Sequence, residues 1–232
     1  MTDNQNIKII SYNINGILNP VKRSKILSKL KKEKAHIALL QETHLSSTEH
    51  EKLGRLGFSK VFYSSYKSGH RRGVATLISQ RLPFEKTLEI KDKEGRYSLI
   101  SGKIQGTEVS ILNVYIPPGS NIAIYRKIFD LMSEATGILI CGGDWNIRMN
   151  SRLDSSKMFT QTSTHKKIKI LMSELGLIDL WRDVQNETTL IILTHTTCTR
   201  ELITFSFIRG TAIEYSSVSM EILTYQIMPL FY

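Results

Sequence analysis

Three short apolar runs in this chain stop abruptly at clusters of oxygen-bearing side chains, and that repeat constrains the fold more than any other feature. Ile7-Lys8-Ile9-Ile10-Ser11-Tyr12 reads as a strand that delivers Asn13-Ile14-Asn15-Gly16 to its C-terminal end. Ile37-Ala38-Leu39-Leu40 ends in Gln41-Glu42-Thr43-His44, and Ile138-Leu139-Ile140-Cys141 runs into Gly142-Gly143-Asp144-Trp145-Asn146. Short apolar runs bounded by turn-forming residues are buried strands. Polar side chains are therefore expected at the edge of an apolar sheet.

The rest of the chain repeats the strand pattern at Val61 to Tyr63, Gly73 to Ile78, Tyr97 to Gly102 and Val109 to Tyr115, after which Pro117-Pro118-Gly119 forces a turn. Ile26, Leu27 and Leu30 form one apolar stripe on a basic helix predicted from about Val21 to Lys34. Further helices are predicted near Ile122 to Ala135 and from about Thr164 to Leu175, the last stopped by Gly176. Strands interleaved with helices and no long spacer predict one layered α/β domain in 232 residues.

Lys and Arg outnumber Asp and Glu by 31 to 21, which favours a polyanionic partner, nucleic acid ahead of an anionic membrane, over an ordinary basic surface. Cys141 and Cys198 lie far apart without metal-type spacing, so a reducing compartment fits better than a disulfide framework. The start Met1-Thr2-Asp3-Asn4-Gln5 is polar, and no apolar run reaches the roughly 20 residues of a membrane span, so a soluble intracellular protein is expected.

Asn13 with Asn15, Glu42, and Asp144 with Asn146 offer hard oxygen ligands without a His or Cys set, which suits Mg²⁺. The same residue types also make ordinary turns at strand ends. Glu42 resists that reading, because a carboxylate directly after a buried run is costly without a partner.

SYNING (Ser11 to Gly16), LLQETH (Leu39 to His44), RGVATLIS (Arg72 to Ser79), NVYIPP (Asn113 to Pro118) and GGDWN (Gly142 to Asn146) follow one another in this order. The series resembles the endonuclease/exonuclease/phosphatase superfamily. It is similar above all to the endonuclease domain of LINE-type retrotransposons and to exonuclease III-like apurinic-site endonucleases. The resemblance covers approximately Ile7 to Arg182, and the basic Val21-Lys22-Arg23-Ser24-Lys25 leans towards the retrotransposon branch. It implies a four-layer α/β sandwich of two mixed β-sheets flanked by helices, and Mg²⁺-dependent hydrolysis of DNA phosphodiesters, with Mn²⁺ as an alternative metal. Glu42, Asn13 and Asn15 would hold the metal. Tyr115 would contact the phosphate, Asp144 would orient or activate the water, and Asn146 would donate to the scissile phosphate. Lys22, Arg23, Lys25, His70, Arg71 and Arg72 would contact phosphates of double-stranded DNA, a salt-sensitive interaction. His44 is expected to be structural or at the rim rather than catalytic, and Trp145 in packing. The nucleus is the implied compartment, with no membrane and no obligate protein partner. Two other readings stay open: another phosphodiesterase or phosphatase branch of the superfamily, and a catalytically dead DNA-binding remnant.

After Val184 the texture changes: no Asp or Lys occurs up to Tyr232, and Gly210 is the only glycine. The superfamily's Arg-Ile-Asp-Tyr strand and its terminal Ser-Asp-His are absent. With synonymous codons chosen freely and read one nucleotide out of register, Thr188 to Phe205 yields a peptide ending Ser-Arg-Ile-Asp-Tyr. The same offset turns Leu223 to Pro229 into Asp-Leu-Ser-Asp-His-Ala. The expectation is therefore a family domain over residues 1–184 and an aberrant, frame-shifted tail over 185–232, with compromised C-terminal strands and impaired activity.

Overall fold

The structure, a computed structural model, describes residues 7–67, 69–147, 163–179, 191–195, 204–209 and 220–226. The first half contains β1 (Ile7–Asn13), α1 (Pro20–Lys32), β2 (Ile37–Gln41), α2 (Ser47–Glu51), β3 (Phe58–Ser64) and β4 (Val74–Ser79). Then come β5 (Phe84–Lys91), β6 (Tyr97–Ile104), β7 (Thr107–Tyr115), α3 (Ile122–Glu134), β8 (Ile138–Asp144) and α4 (Ser163–Glu174). The last elements are β9 (Ile178–Asp179), β10 (Ile191–His195), β11 (Thr204–Arg209) and β12 (Met220–Gln226).

Side chains alternate across a strand, and in the central strands both faces are apolar, so each strand joins two cores. Ile7 and Ile9 of β1 and Ile37 and Leu39 of β2 meet Val109 and Ile111 of β7 and Ile138 and Ile140 of β8 in the layer between two sheets. The opposite faces pack on helices. Ile10, Tyr12, Ala38 and Leu40 meet Ile26, Leu27 and Leu30 of α1. Leu112, Val114, Leu139 and Cys141 meet Ile124, Ile128, Phe129 and Met132 of α3 and Ile168 of α4. The result is the expected four-layer sandwich.

Both sheets are mixed. One has the order β10-β12-β1-β2-β4-β3, the other β5-β6-β7-β8-β11-β9. β1 and β2 are parallel, as are β7 and β8, so each sheet presents a pair of parallel C-terminal ends. Close approach within the second pair requires glycine: Gly143 has φ +143°, and a Cβ there would overlap the Val114 carbonyl oxygen.

α1 begins one residue before the predicted helix, with Pro20 in its first turn and the Asn19 side chain accepting from Val21 N and Lys22 N. Past Val184, β12 pairs with β1, setting Gln226 opposite Asn13, and β11 pairs with β8, setting Thr204 opposite Asp144. The frame disruption expected near Val184 to Glu187 lies outside the described residues.

Candidate active site

The strand alternation that fills the inter-sheet core also places the site. Residues 9, 11 and 13 of β1 share one face, as do 39 and 41 of β2, 111, 113 and 115 of β7, and 140, 142 and 144 of β8. Aliphatic side chains occupy that face in the middle of the strands, and Asn13, Gln41, Asn113, Tyr115 and Asp144 occupy it at the C-terminal ends. Polar groups drawn from both sheets thus converge at one rim of the core.

At the centre is Asn13, 6 % exposed. Its Nδ2 donates to Glu42 Oε1 at 2.9 Å and to Asp144 Oδ2 at 2.7 Å, while its Oδ1 accepts from Asn15 N at 3.1 Å. The two carboxylates differ in character. Burial pushes Glu42 up, but hydrogen bonds to His44 and Asn13, the charge of His44 and a hydrogen bond from Tyr115 outweigh it and hold the carboxyl below its ordinary range. Asp144 is pushed up to about 6, by burial first and by the negative charge of Glu42, against hydrogen bonds from Asn13 and from Asn146 N. Tyr115 is raised well above an ordinary phenol by burial and by the charges of Glu42 and Asp144, so its hydroxyl keeps its proton and stays a donor.

Backbone conformation aims these groups. Glu42 follows β2 in the left-handed region at φ 52° and His44 at φ 55°. The segment is held on both sides, by Gly16 N to Glu42 O (2.6 Å) and Ile17 N to Thr43 O (3.0 Å), and by Thr43 N to Gly73 O (3.0 Å) and His44 N to Arg72 O (2.8 Å). Behind it, buried His50 stacks on Tyr63 and bonds Thr43 Oγ1 through Nε2 at 2.8 Å and Ser46 O through Nδ1 at 3.0 Å. Nδ1 also lies 2.9 Å from Ser65 Oγ, and since a hydroxyl can donate or accept while a carbonyl only accepts, these three partners satisfy the buried ring. After β8, Asn146 has φ 46°, donates its main-chain N–H to Asp144 Oδ1 at 3.0 Å and spends one amide N–H on Ile116 O at 2.9 Å. Its side-chain amide also hydrogen-bonds Asp144.

Asn13, Glu42, Tyr115, Asp144 and Asn146 are therefore brought together. Asn15 enters through its main chain, its N–H on Asn13 and its carbonyl on Lys22 Nζ (2.9 Å). The basic residues divide. Lys22 and Arg23 are tied to carbonyls of the loop after β1, Arg23 binding Ile17 O at 3.1 Å and Leu18 O at 2.9 Å. Arg72 lies over the Tyr66 ring and pairs with Glu94 at 3.3 Å, and His70 Nδ1 lies 3.3 Å from His44 O. Lys25 and Arg71 are exposed. Trp145 packs, as expected, against Tyr125 and Phe129. His44 Nε2 lies 3.4 Å from Glu42 Oε2, where it supports that carboxylate.

Among the described residues no three His, Cys, Asp or Glu side chains cluster as a metal cage. One ionised carboxylate beside a second and an amide is instead the sparse oxygen set suited to a cation that keeps most of its own water, which is the behaviour of Mg²⁺. No helix among the described residues is long and apolar enough to cross a membrane.

Residues 10–183 match the family model described as Endonuclease/Exonuclease/phosphatase family. A curated relative, the Transposon TX1 uncharacterized 149 kDa protein of Xenopus laevis, is 27% identical over 195 residues, covering 78% of this chain and 14% of its own length. Solved structures similar in fold include two endonucleases. An AP endonuclease from Archaeoglobus fulgidus has TM-score 0.59 and 20% identity, covering 86% of this chain and 85% of that one. The endonuclease domain of TRAS1, a telomere-specific non-LTR retrotransposon, has TM-score 0.57 and 16% identity, covering 86% and 83%.

Proposed function

Since the chain belongs to the endonuclease/exonuclease/phosphatase family, we propose that its site hydrolyses phosphodiester bonds of double-stranded DNA with Mg²⁺, or Mn²⁺ in its place, as a retrotransposon-type endonuclease. The observation that carries this reading is the Asn13 amide spanning Glu42 and Asp144, which gathers two carboxylates, one held below and one above its ordinary pKa, at the meeting point of two sheets. The likeness to an AP endonuclease and to a retrotransposon endonuclease domain, and the excess of basic residues, 31 against 21 acidic, support DNA as substrate.

Glu42 and Asn13 would hold the metal, with Asn15 supporting Asn13. An ion held there would supply Lewis-acid polarisation of a phosphoryl oxygen and charge stabilisation for the leaving alkoxide. Asp144, ionised above about pH 6, accepts a proton from the attacking water, so that the water oxygen bonds to phosphorus as the P–O bond to the leaving sugar breaks. The Tyr115 hydroxyl and the Asn146 amide, which lies against Asp144, donate to phosphate oxygens as charge develops there. Lys25 and Arg71 contact flanking phosphates.

The tail bears on how much of this activity survives. The offset frame puts Ser-Asp-His at positions 226–228 and Arg-Ile-Asp-Tyr at 201–204. Position 226 pairs with Asn13 and position 204 with Asp144. The last residue of one recovered motif and the first of the other thus fall beside the site, which supports a single frame disruption and an impaired present chain over a divergent tail.

Nicking of supercoiled plasmid with and without Mg²⁺ tests the function. In a frame-restored chain, Glu42→Gln and Asp144→Asn should each lower the rate by about 100-fold or more. Rates within a few-fold of the parent would reject the site.

A further inference from the structure

Glu42 follows a strand of one sheet, whereas Tyr115 and Asp144 end strands of the other. The layer between those sheets is aliphatic over most of its length, and apolar contact is non-directional, so it sets spacing without fixing lateral position. At the last rung before the site the layer changes to two amides, Gln41 and Asn113, each 0 % exposed. Gln41 Nε2 donates to Asn113 Oδ1 at 2.8 Å, with Leu39 O at 3.0 Å and Ser11 Oγ at 3.2 Å also in reach. Asn113 Nδ2 reaches across to Leu40 O at 3.1 Å and Ala75 O at 3.0 Å. All of the partners named for Asn113 therefore lie in the opposite sheet.

The arrangement is not the cheapest way to fill that space. Gln41 Oε1 and the neighbouring Thr76 Oγ1 are buried without a hydrogen-bond partner among the described residues, and such groups cost stability that an apolar pair would not. What the amides supply is direction. Gln41 directly precedes Glu42, and Asn113 is two residues before Tyr115 on the same face of β7. The bonds of Asn13 to the two carboxylates, at 2.9 and 2.7 Å, tolerate little slip. A displacement of about 1 Å between the sheets takes one of them beyond hydrogen-bonding range.

We infer that Gln41 and Asn113 are positioning residues, a buried amide clamp that fixes the Glu42 sheet against the Tyr115–Asp144 sheet and so sets the spacing of the metal-binding and water-activating carboxylates. The inference rests on the proposed hydrolytic site. Neither amide touches substrate; both act through Glu42 and Tyr115.

The test compares Gln41→Met, Asn113→Leu and the double variant with the parent, measuring melting temperature, Mn²⁺ affinity by electron paramagnetic resonance, and plasmid nicking resolved into kcat and KM. Each single change strands a buried polar partner and should lower the melting temperature, and the double variant should regain most of that loss. Mn²⁺ affinity should stay at least about fivefold weaker in the double variant, and where nicking is measurable kcat should stay about tenfold lower with KM within about twofold. Recovery of Mn²⁺ affinity together with stability would reduce the clamp to ordinary packing and overturn the inference, as would affinity within about twofold of the parent in all three variants. A Glu42→Gln control separates the two levels. A parent that binds Mn²⁺ no better than Glu42→Gln overturns the metal site and the clamp with it, whereas a parent that does, alongside insensitive clamp variants, overturns the clamp alone.

Discussion

Asp144 and Asn13 face each other across two sheets, joined by a 2.7 Å hydrogen bond, and the same Asn13 nitrogen holds Glu42 at 2.9 Å. Ionised Asp144 is thus buried close to a second negative charge with one neutral amide between them, and the protein bears a cost for it.

That cost has a sign. The pKa of Asp144 rises from its ordinary 3.8 to about 6 in the fold, so the protonated form is the stabilised one. The contribution is complete below about pH 4 and is lost as pH rises through 6, on the order of 2–3 kcal/mol. Asp144→Asn should therefore melt several degrees above the parent at pH 8 while losing nicking, with the gap closing towards pH 4. Equal melting temperatures at pH 8 would contradict the burial argument.

His50 works in the opposite direction over an overlapping range. Burial first, against its bond to Ser46 and the charge of Glu49, lowers its pKa to about 4 from 6.5. The unfolded chain binds that proton more readily, so stability is intact above about pH 6.5 and falls by about 3 kcal/mol on descent through 4. His50→Gln should be less stable than the parent at pH 7.5, and the difference should narrow by pH 4.5. A constant difference across that span would mean that His50 is not held neutral.

Neighbouring arginines should separate by assay. Arg71 is exposed, whereas Arg72 is committed to Glu94 and the Tyr66 ring. Arg71→Ala should weaken DNA binding and reduce the slope of log affinity against log salt by about 1. Arg72→Ala should cost about 0.5–1 kcal/mol of stability, since the ion pair is half exposed. Loss of the salt slope in Arg72→Ala with none in Arg71→Ala would reverse the assignment.

Expressing the chain beside a version carrying the offset tail tests the frame disruption. Groups that act as a unit lose most of their catalysis when one is missing, so the restored chain should nick at least about 1,000-fold faster and stay more soluble. Equal behaviour would support a divergent tail.

Much of the site was legible because its residues continue a period-two pattern: the face that carries Ile9, Leu39, Ile111 and Ile140 also carries Asn13, Gln41, Tyr115 and Asp144. Other parts left weaker traces. β5 (FEKTLEIK) is an edge strand whose alternation of Phe84, Leu88 and Ile90 with polar residues is interrupted by Lys86 and by a bulge between Lys86 and Leu88, and α2 is too short for a helical period. The Ser46 and Glu49 capping box that starts α2 was nonetheless present in the spacing. Nothing in a sequence marks His50 as buried or separates Arg71 from Arg72, because both depend on long-range neighbours. Lys22 and Arg23 read as phosphate contacts, yet their charges are directed first at carbonyls of the loop they follow.

The left-handed residues around the site have a consequence for how this protein would respond to selection. Asn15, Glu42, His44, His70, Arg72 and Asn146 all lie at φ between 40° and 55°. For side chains other than Asn such a conformation costs about 1 kcal/mol that glycine avoids. A mutant library sorted for heat tolerance alone should accordingly collect glycine at His44, and asparagine at Asp144. Breeding for sturdiness would steadily disarm the molecule.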